Sequence, residues 1–300
     1  MMRARSIDGY ELHCEETGKG IPVVFVHEFA GDHRSWEPQL RHFGRTYRCI
    51  TFSARGFAPS DIPQDEDAYT QVHAADDILS VLDALGVETA HVVGLSMGSL
   101  AALHFAIRHP QRTRSICLGG CGYGSDLDQK EAFKARSEQT SQAIMNMGMK
   151  DFARLYATGV GRVQFANKDP RGYAEFLEKL SGHDATGSAL TQKCLQGRRP
   201  SIYELKEELR SLTVPTLVVH GDEDFPCFQP GVYLKRMIRS AALTVLPNTG
   251  HSLNLEETGR YNRLLEEFLH QVDSGRWPCR DDAAETLPDF LPFAAPSSRD

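Results

Sequence analysis

Gly94-Leu95-Ser96-Met97-Gly98 follows the short apolar run Ala90-His91-Val92-Val93 and precedes a helix-compatible stretch, Ser99 to His109. This places Ser96 on a sharp strand-to-helix turn, the arrangement of a nucleophile elbow. The flanking glycines matter because a turn this tight crowds its neighbours. A Cβ at either position would obstruct the packing that lifts the serine hydroxyl above the sheet edge. The helix that follows points its positive end at the same spot and favours negative charge developing there.

The sequence around this turn alternates strand and helix signals. Arg3 to Ile7 and Tyr10 to Glu15 flank Asp8-Gly9, a dipeptide suited to a two-residue hairpin turn. Ile21 to His27 and Arg48 to Phe52 read as third and fourth strands separated by a helix around Trp36 to Phe43, and Val72 to Leu85 carries Ile78, Leu82 and Leu85 at helical spacing. Ser115 to Leu118, Pro215 to His220 and Ala242 to Leu246 are further strands, with a closing helix from about Glu256 to His270. Such alternation implies an α/β fold with a mostly parallel sheet flanked by helices, because each parallel crossover needs a helix to return the chain. From about Gly122 to Leu205 the strand signal disappears. Lys130 to Met149, Asp151 to Tyr156, Gly172 to Leu180 and Ala189 to Cys194 read there as helices. The expected organisation is a core of residues 1–121 and 206–272, an inserted helical cap over 122–205 and an irregular tail over 273–300, in which Phe290, Leu291 and Phe293 could dock on the body.

A chain of 300 residues with 41% hydrophobic content can fill such a core. Its formal charge of −7, with scattered rather than clustered Lys and Arg, argues against nucleic-acid or anionic-membrane partners. No stretch approaches the roughly 18 apolar residues of a membrane span, and the N-terminus lacks an apolar signal core. A cytoplasmic protein acting on a small molecule is the expectation, with self-association into a homo-oligomer left open. Seven cysteines, widely spaced and without a C-x-x-C pair, suggest neither disulfides nor a zinc site. Most should be buried thiols, with Cys121 and Cys227 near the rim of the site. No His pair at helical ligand spacing joins a nearby acid, so no metal and no cofactor is expected.

A serine hydroxyl is a poor nucleophile at neutral pH and needs a base, which in turn needs an orienting acid. After the strand ending at His220 the chain reads Gly221-Asp222-Glu223-Asp224, and after the strand ending near Leu246 it reads Asn248-Thr249-Gly250-His251-Ser252. Both loops leave the carboxyl ends of parallel strands, the edge where an open α/β sheet places its ligand. A small residue in a tight turn would also suit Ser96, and a core or capping histidine would suit His251. The chain order Ser, Asp, His favours the catalytic reading of both.

These features together resemble an α/β-hydrolase-fold enzyme with a helical cap. The likeness covers about residues 3 to 272 and rests on His27-Glu28-Phe29-Ala30-Gly31, Arg55-Gly56-Phe57-Ala58-Pro59-Ser60, Gly94 to Gly98, Gly221 to Asp224 and Gly250-His251. The resemblance implies that Ser96, Asp224 and His251 are catalytic, with Asp222 the rival for the acid. It also implies an oxyanion hole from the backbone amides of Phe29 and Met97. His27 is read as a structural hydrogen-bonding residue. Two positions depart from the family pattern. Glu28 stands where glycine is common, and its side chain should turn away from the oxyanion and pair with a polar neighbour. Ser53 replaces an aspartate and leaves Arg55 without its usual local partner.

The implied activity is hydrolysis of a carboxylic ester or lactone through an acyl-enzyme on Ser96. Carbon–carbon bond hydrolysis of ring-cleavage products, perhydrolysis and acyl transfer use the same machinery, and a non-catalytic small-ligand receptor is the alternative of a different class. A serine at the elbow speaks against epoxide hydrolases and haloalkane dehalogenases, relatives of this fold that place an aspartate there. Phe133, Ile144, Met145, Met147, Met149, Phe152, Leu155 and Tyr156 give the cap apolar, adaptable surface, and Met145, Met149 and Phe152 are the candidates for lining the substrate pocket.

Overall fold

The apolar runs pair side by side in one sheet. The computed structural model describes residues 2–281, with strands β1 (Met2–Arg5), β2 (Glu11–Thr17), β3 (Pro22–Val26), β4 (Arg48–Phe52), β5 (Ala90–Leu95), β6 (Thr113–Gly119), β7 (Thr216–Gly221) and β8 (Ala241–Leu246). Their order is β1-β2-β4-β3-β5-β6-β7-β8, antiparallel only where β2 meets β1 and β4. Alternate residues of a strand face opposite sides, so each buried strand contributes to two cores. Val24, Val26 and Val92 pack with Ile78 and Leu82 of α2 (Gln71–Ala84) and Leu103 and Phe105 of α3 (Met97–Arg108). Val23, Phe25 and Val93 pack on the other face with Trp36, Phe43 of α1 (Glu37–Phe43) and Phe268 of α11 (Thr258–Asp273).

The opening hairpin is longer at its tip than Asp8-Gly9 alone suggests. Ser6 N donates to Tyr10 O at 2.8 Å and Gly9 takes φ +96°, while Asp8 keeps a negative φ, so Ile7, Asp8 and Gly9 form a three-residue loop. Asp8 is drawn to Ser6 Oγ at 2.6 Å and to Arg55 at 2.6 Å. Arg55 in turn holds Asp77 of α2 through two hydrogen bonds of 2.8 and 2.6 Å. Carboxylates from a helix and a hairpin thus replace the missing local partner.

Between β6 and β7 the chain is helical: α4 (Lys130–Ala157), α5 (Val163–Lys168), α6 (Pro170–Ser181), α7 (Ala185–Leu190), a π-helical turn Thr191–Gln196 and α8 (Lys206–Ser211). α4 runs on past Met149 but kinks at Gly148, whose φ of +76° no other residue type adopts readily. Helices α9 (Phe225–Met237) and α10 (Leu253–Glu256) follow β7 and β8. Beyond α11, Trp277 stacks edge-on against Phe268 and donates its Nε1 proton to Ser240 O at 2.7 Å. Phe290, Leu291 and Phe293 lie outside the described residues. Among the described residues no helix is long and apolar enough to cross a membrane, and the cysteines are free, with only Cys279 exposed.

Candidate active site

Ser96 sits between β5 and α3 with φ +54° and ψ −112°, a backbone region that side chains rarely occupy. The surroundings hold it there: Ser96 N donates to Gly119 O at 2.7 Å, and Ser99 Oγ donates to Ser96 O at 2.6 Å. A Cβ at Gly94 would lie 2.3 Å from Gly98 O, and one at Gly98 would lie 2.1 Å from Val26 O. Both glycines are therefore sterically required. The Ser96 side chain is half-buried and does not cap the helix, which leaves its hydroxyl available at the turn.

The acid and histidine loops interlock by the same kind of close approach. A Cβ at Gly221 would fall 2.0 Å from Thr249 O. Asp222 Oδ1 accepts from Thr249 N at 3.0 Å, and Glu223 N donates to Thr249 O at 3.0 Å. His251 Nδ1 then lies 2.7 Å from Asp224 Oδ2. Asp222 thus contacts the backbone of the histidine loop, while Asp224 contacts the imidazole. Both sit beside the serine turn, since an added Cβ on Gly120, the residue after the Ser96 acceptor Gly119, would be 3.1 Å from the His251 ring and 3.4 Å from Asp224 Oδ2. Burial disfavours the His251 cation, but the Asp224 carboxylate more than offsets it and holds the pKa above the ordinary histidine value. Burial likewise opposes the Asp224 anion, yet His251 keeps its pKa below the usual carboxylate range. Cys227 is fully buried, with Sγ 3.3 Å from Gly120 O and 4.0 Å from His251 Nδ1. Burial pushes its thiol well up, so it is a neutral wall of the site.

Phe29, in the loop after β3, and Met97, the first residue of α3, are buried in one apolar cluster, and neither backbone amide is used in a turn or cap hydrogen bond among the described residues. His27 shapes the first of these segments: Nδ1 donates to Glu28 O at 2.7 Å, and Nε2 accepts from Ala54 N at 2.9 Å. Glu28 turns into the protein and pairs with Arg162, which donates from Nη1 to Oε1 at 2.9 Å and from Nη2 to Oε2. Each is 3% exposed. Arg162 also bonds Ser252 Oγ and lies over the Tyr156 and Phe176 rings. Burial works against the Glu28 anion, but Arg162 keeps its pKa below the ordinary value.

Arg162 belongs to a short stretch that the sequence reading left out. Gly161 O accepts from His251 N at 2.8 Å, Gln164 Nε2 donates to Glu223 Oε1 at 2.8 Å, and Lys168 bonds Glu256 at 2.9 Å and Glu257 at 2.7 Å. Glu256 Oε2 accepts from Gly250 N at 2.9 Å. The stretch therefore grips both loops that carry Asp224 and His251.

A cleft of about 520 Å³ reaches His251 between Tyr123, Leu155, Tyr156, Val160 and Phe225. Met149 and Phe152 are buried in one apolar cluster with Phe29 and Met97. Met145, expected beside them, takes no part in the cleft or this cluster and is 56% exposed, because the kink at Gly148 breaks the helical register between it and Met149.

The chain is similar to known proteins over most of its length. The chain is 26% identical to 3-oxoadipate enol-lactonase 1 of Acinetobacter baylyi over 251 residues, spanning 83% of this chain and 89% of the relative. It is 28% identical to 2-hydroxymuconate semialdehyde hydrolase of Pseudomonas putida over 278 residues, spanning 89% and 93%. A thermophilic esterase from Thermogutta terrifontis superposes with a TM-score of 0.80 at 24% identity over 90% of this chain and 98% of that one. The family model for the alpha/beta hydrolase fold matches residues 21–258, and the chain belongs to that family.

Proposed function

We propose that the protein hydrolyses a carboxylic ester or lactone of a small molecule through an acyl-enzyme on Ser96. His251 takes the serine proton and returns it to the leaving group, then activates water for deacylation. Asp224 fixes the imidazole tautomer, with the proton on Nδ1, and stabilises the imidazolium. The Phe29 and Met97 amides stabilise the tetrahedral oxyanion, aided by the N-terminus of α3. Residues 122–205 act as the cap that selects the acyl and alcohol groups. The observation that carries this reading is the 2.7 Å contact between His251 and Asp224, packed against Gly120 beside the serine turn. The relatives include an enol-lactonase and a semialdehyde hydrolase, so carbon–carbon bond cleavage of a ring-cleavage product is the second reading on the same machinery.

Turnover of short p-nitrophenyl esters, lactones and vinylogous diketones tests the proposal and separates an enzyme from a ligand receptor. Hydrolysis of an ester or lactone is expected, and Ser96→Ala should lower kcat by about 10⁴-fold or more while leaving the fold intact. Residual activity within tenfold of the parent would assign the nucleophile elsewhere. Cleavage of the diketones alone would favour the second reading.

A further inference from the structure

Away from the active site, two imidazoles and a carboxylate converge at one point. His13 and Glu15 are two residues apart on β2, so both side chains leave the same face of the strand. His33 begins the 3-10 turn His33–Trp36 that follows the Phe29 loop. His13 Nε2 lies 3.2 Å from Glu15 Oε1, and His33 Nε2 lies 3.5 Å from the same oxygen. The imidazole rings meet edge to face at 4.7 Å, and one donor atom from each of the three residues lies within 4.8 Å of the others.

Those separations suit a shared cation. A tetrahedral ion bonded to nitrogen and oxygen at about 2.0–2.2 Å holds its ligand atoms about 3.3–3.6 Å apart. The two measured separations lie within a few tenths of an ångström of that edge. The surroundings orient the ligands: His33 Nδ1 is 2.8 Å from Ser53 Oγ, so an Nδ1 proton donated there leaves the Nε2 lone pair facing Glu15. His33 O accepts from Thr51 Oγ1 at 3.0 Å, and His13 N donates to Ser60 Oγ at 2.8 Å, which fixes both backbones. His13 Nδ1 meets no partner. The neighbouring cation Arg34 is engaged by Asp32 at 2.6 Å, which moderates its repulsion of a metal. The two histidines are nearly buried while the Glu15 side chain is 55% exposed, leaving an approach from solvent.

We propose that His13 Nε2, His33 Nε2 and the Glu15 carboxylate form a binding site for a divalent transition ion of the zinc, cobalt or nickel type, with water completing the coordination. Two imidazoles and one carboxylate suit these borderline ions better than calcium or magnesium. The ion ties β2 to the turn that begins four residues after Phe29, so its effect is to stabilise the segment behind the oxyanion loop, not to take part in the reaction. The site is independent of the proposed hydrolytic activity.

Titration of the chelator-stripped full chain with Co²⁺, followed by visible absorption, tests this without any substrate. One equivalent is expected to give the intense d–d bands of a four-coordinate ion, and zinc should raise the thermal midpoint. Glu15→Gln and His33→Gln should each weaken binding at least about tenfold, and Ser53→Ala by about tenfold through the lost orientation of His33. Far-UV circular dichroism of the metal-free variants checks their folding. Glu15 is exposed and its substitution leaves the core alone, so parental affinity in Glu15→Gln overturns the site whatever the histidine variants do. Failure of the parent to bind one equivalent of either Co²⁺ or Zn²⁺ overturns it equally.

Discussion

At the residue scale, two aspartates two positions apart have different work. Asp224 touches the imidazole and Asp222 touches the backbone of the loop that carries it. Asp224→Asn should therefore lower kcat by about 10⁴-fold, because an amide there favours the wrong tautomer and cannot stabilise the imidazolium. Asp222→Asn should cost far less, and the opposite ranking would exchange their roles. The pH profile adds a second readout. His251 must be neutral to act as base, so kcat/KM should rise with pH through a midpoint above the ordinary histidine value. With Asp224 neutralised, burial and the nearby Arg162 cation disfavour the imidazolium and Glu28 is the remaining group that favours it, so the midpoint of the residual activity should move down. A midpoint that stays in place would mean that Asp224 does not set the His251 pKa. The five residues of the elbow and the order of the two later loops pointed to Ser96, His251 and an acid in the loop from Gly221 to Asp224, because chain direction and strand edge bring these segments to one side of the sheet, and the family resemblance favoured Asp224. Side-chain geometry separates the two, with Asp224 against the imidazole and Asp222 against the loop backbone.

At the element scale, what escaped the sequence is the stretch that grips these loops. Gly161, Arg162, Gln164 and Lys168 act on residues far along the chain, such as Glu28 and His251, and no periodicity marks them. Glu28 was the one legible trace, a carboxylate in a place that demanded a distant cation. The metal-ligand cluster escaped for a similar reason, since spacing on a helix reveals nothing about a strand pair completed by a turn from elsewhere. Met145 was grouped with Met149 and Phe152 on composition, which does not say which side chains of α4 are covered, and it is exposed where the other two are buried. The Arg162–Glu28 pair allows a direct measurement. Arg162→Met leaves a carboxylate 3% exposed without its cation, which should cost about 3–5 kcal/mol. Combining it with Glu28→Leu removes the stranded charge and should recover much of that loss. Urea unfolding of both singles and the double gives the coupling, and an Arg162→Met variant within about 1 kcal/mol of the parent would show that the pair does not clamp the loops.

At the scale of the whole molecule, stability and activity should depend on pH through different groups. His27, His104 and His220 are buried where desolvation pushes their pKa values down to about 4. In the unfolded chain each titrates near 6.5. Between those values the unfolded state binds more protons than the folded one, so these groups contribute stability that is present above about pH 6.5 and lost as pH falls towards 4. Below that, Asp8 and Asp273 take over, since burial opposes their charge but Arg55 for the one, and His91 with Arg114 for the other, hold both pKa values at about 2. Their contribution is present above the unfolded carboxylate value and lost as pH falls from about 4 towards 2. His251 has the opposite sign, because its folded pKa is raised and its contribution fades as pH rises through that value. One raised histidine does not cancel three lowered ones, each worth on the order of 3 kcal/mol over its window. The thermal midpoint should thus fall steadily from pH 7 to pH 5, with net proton uptake on unfolding, and Ser96→Ala should show the same fall because its histidines are unchanged. A midpoint constant across that window would mean that the buried histidines are not held neutral by the fold.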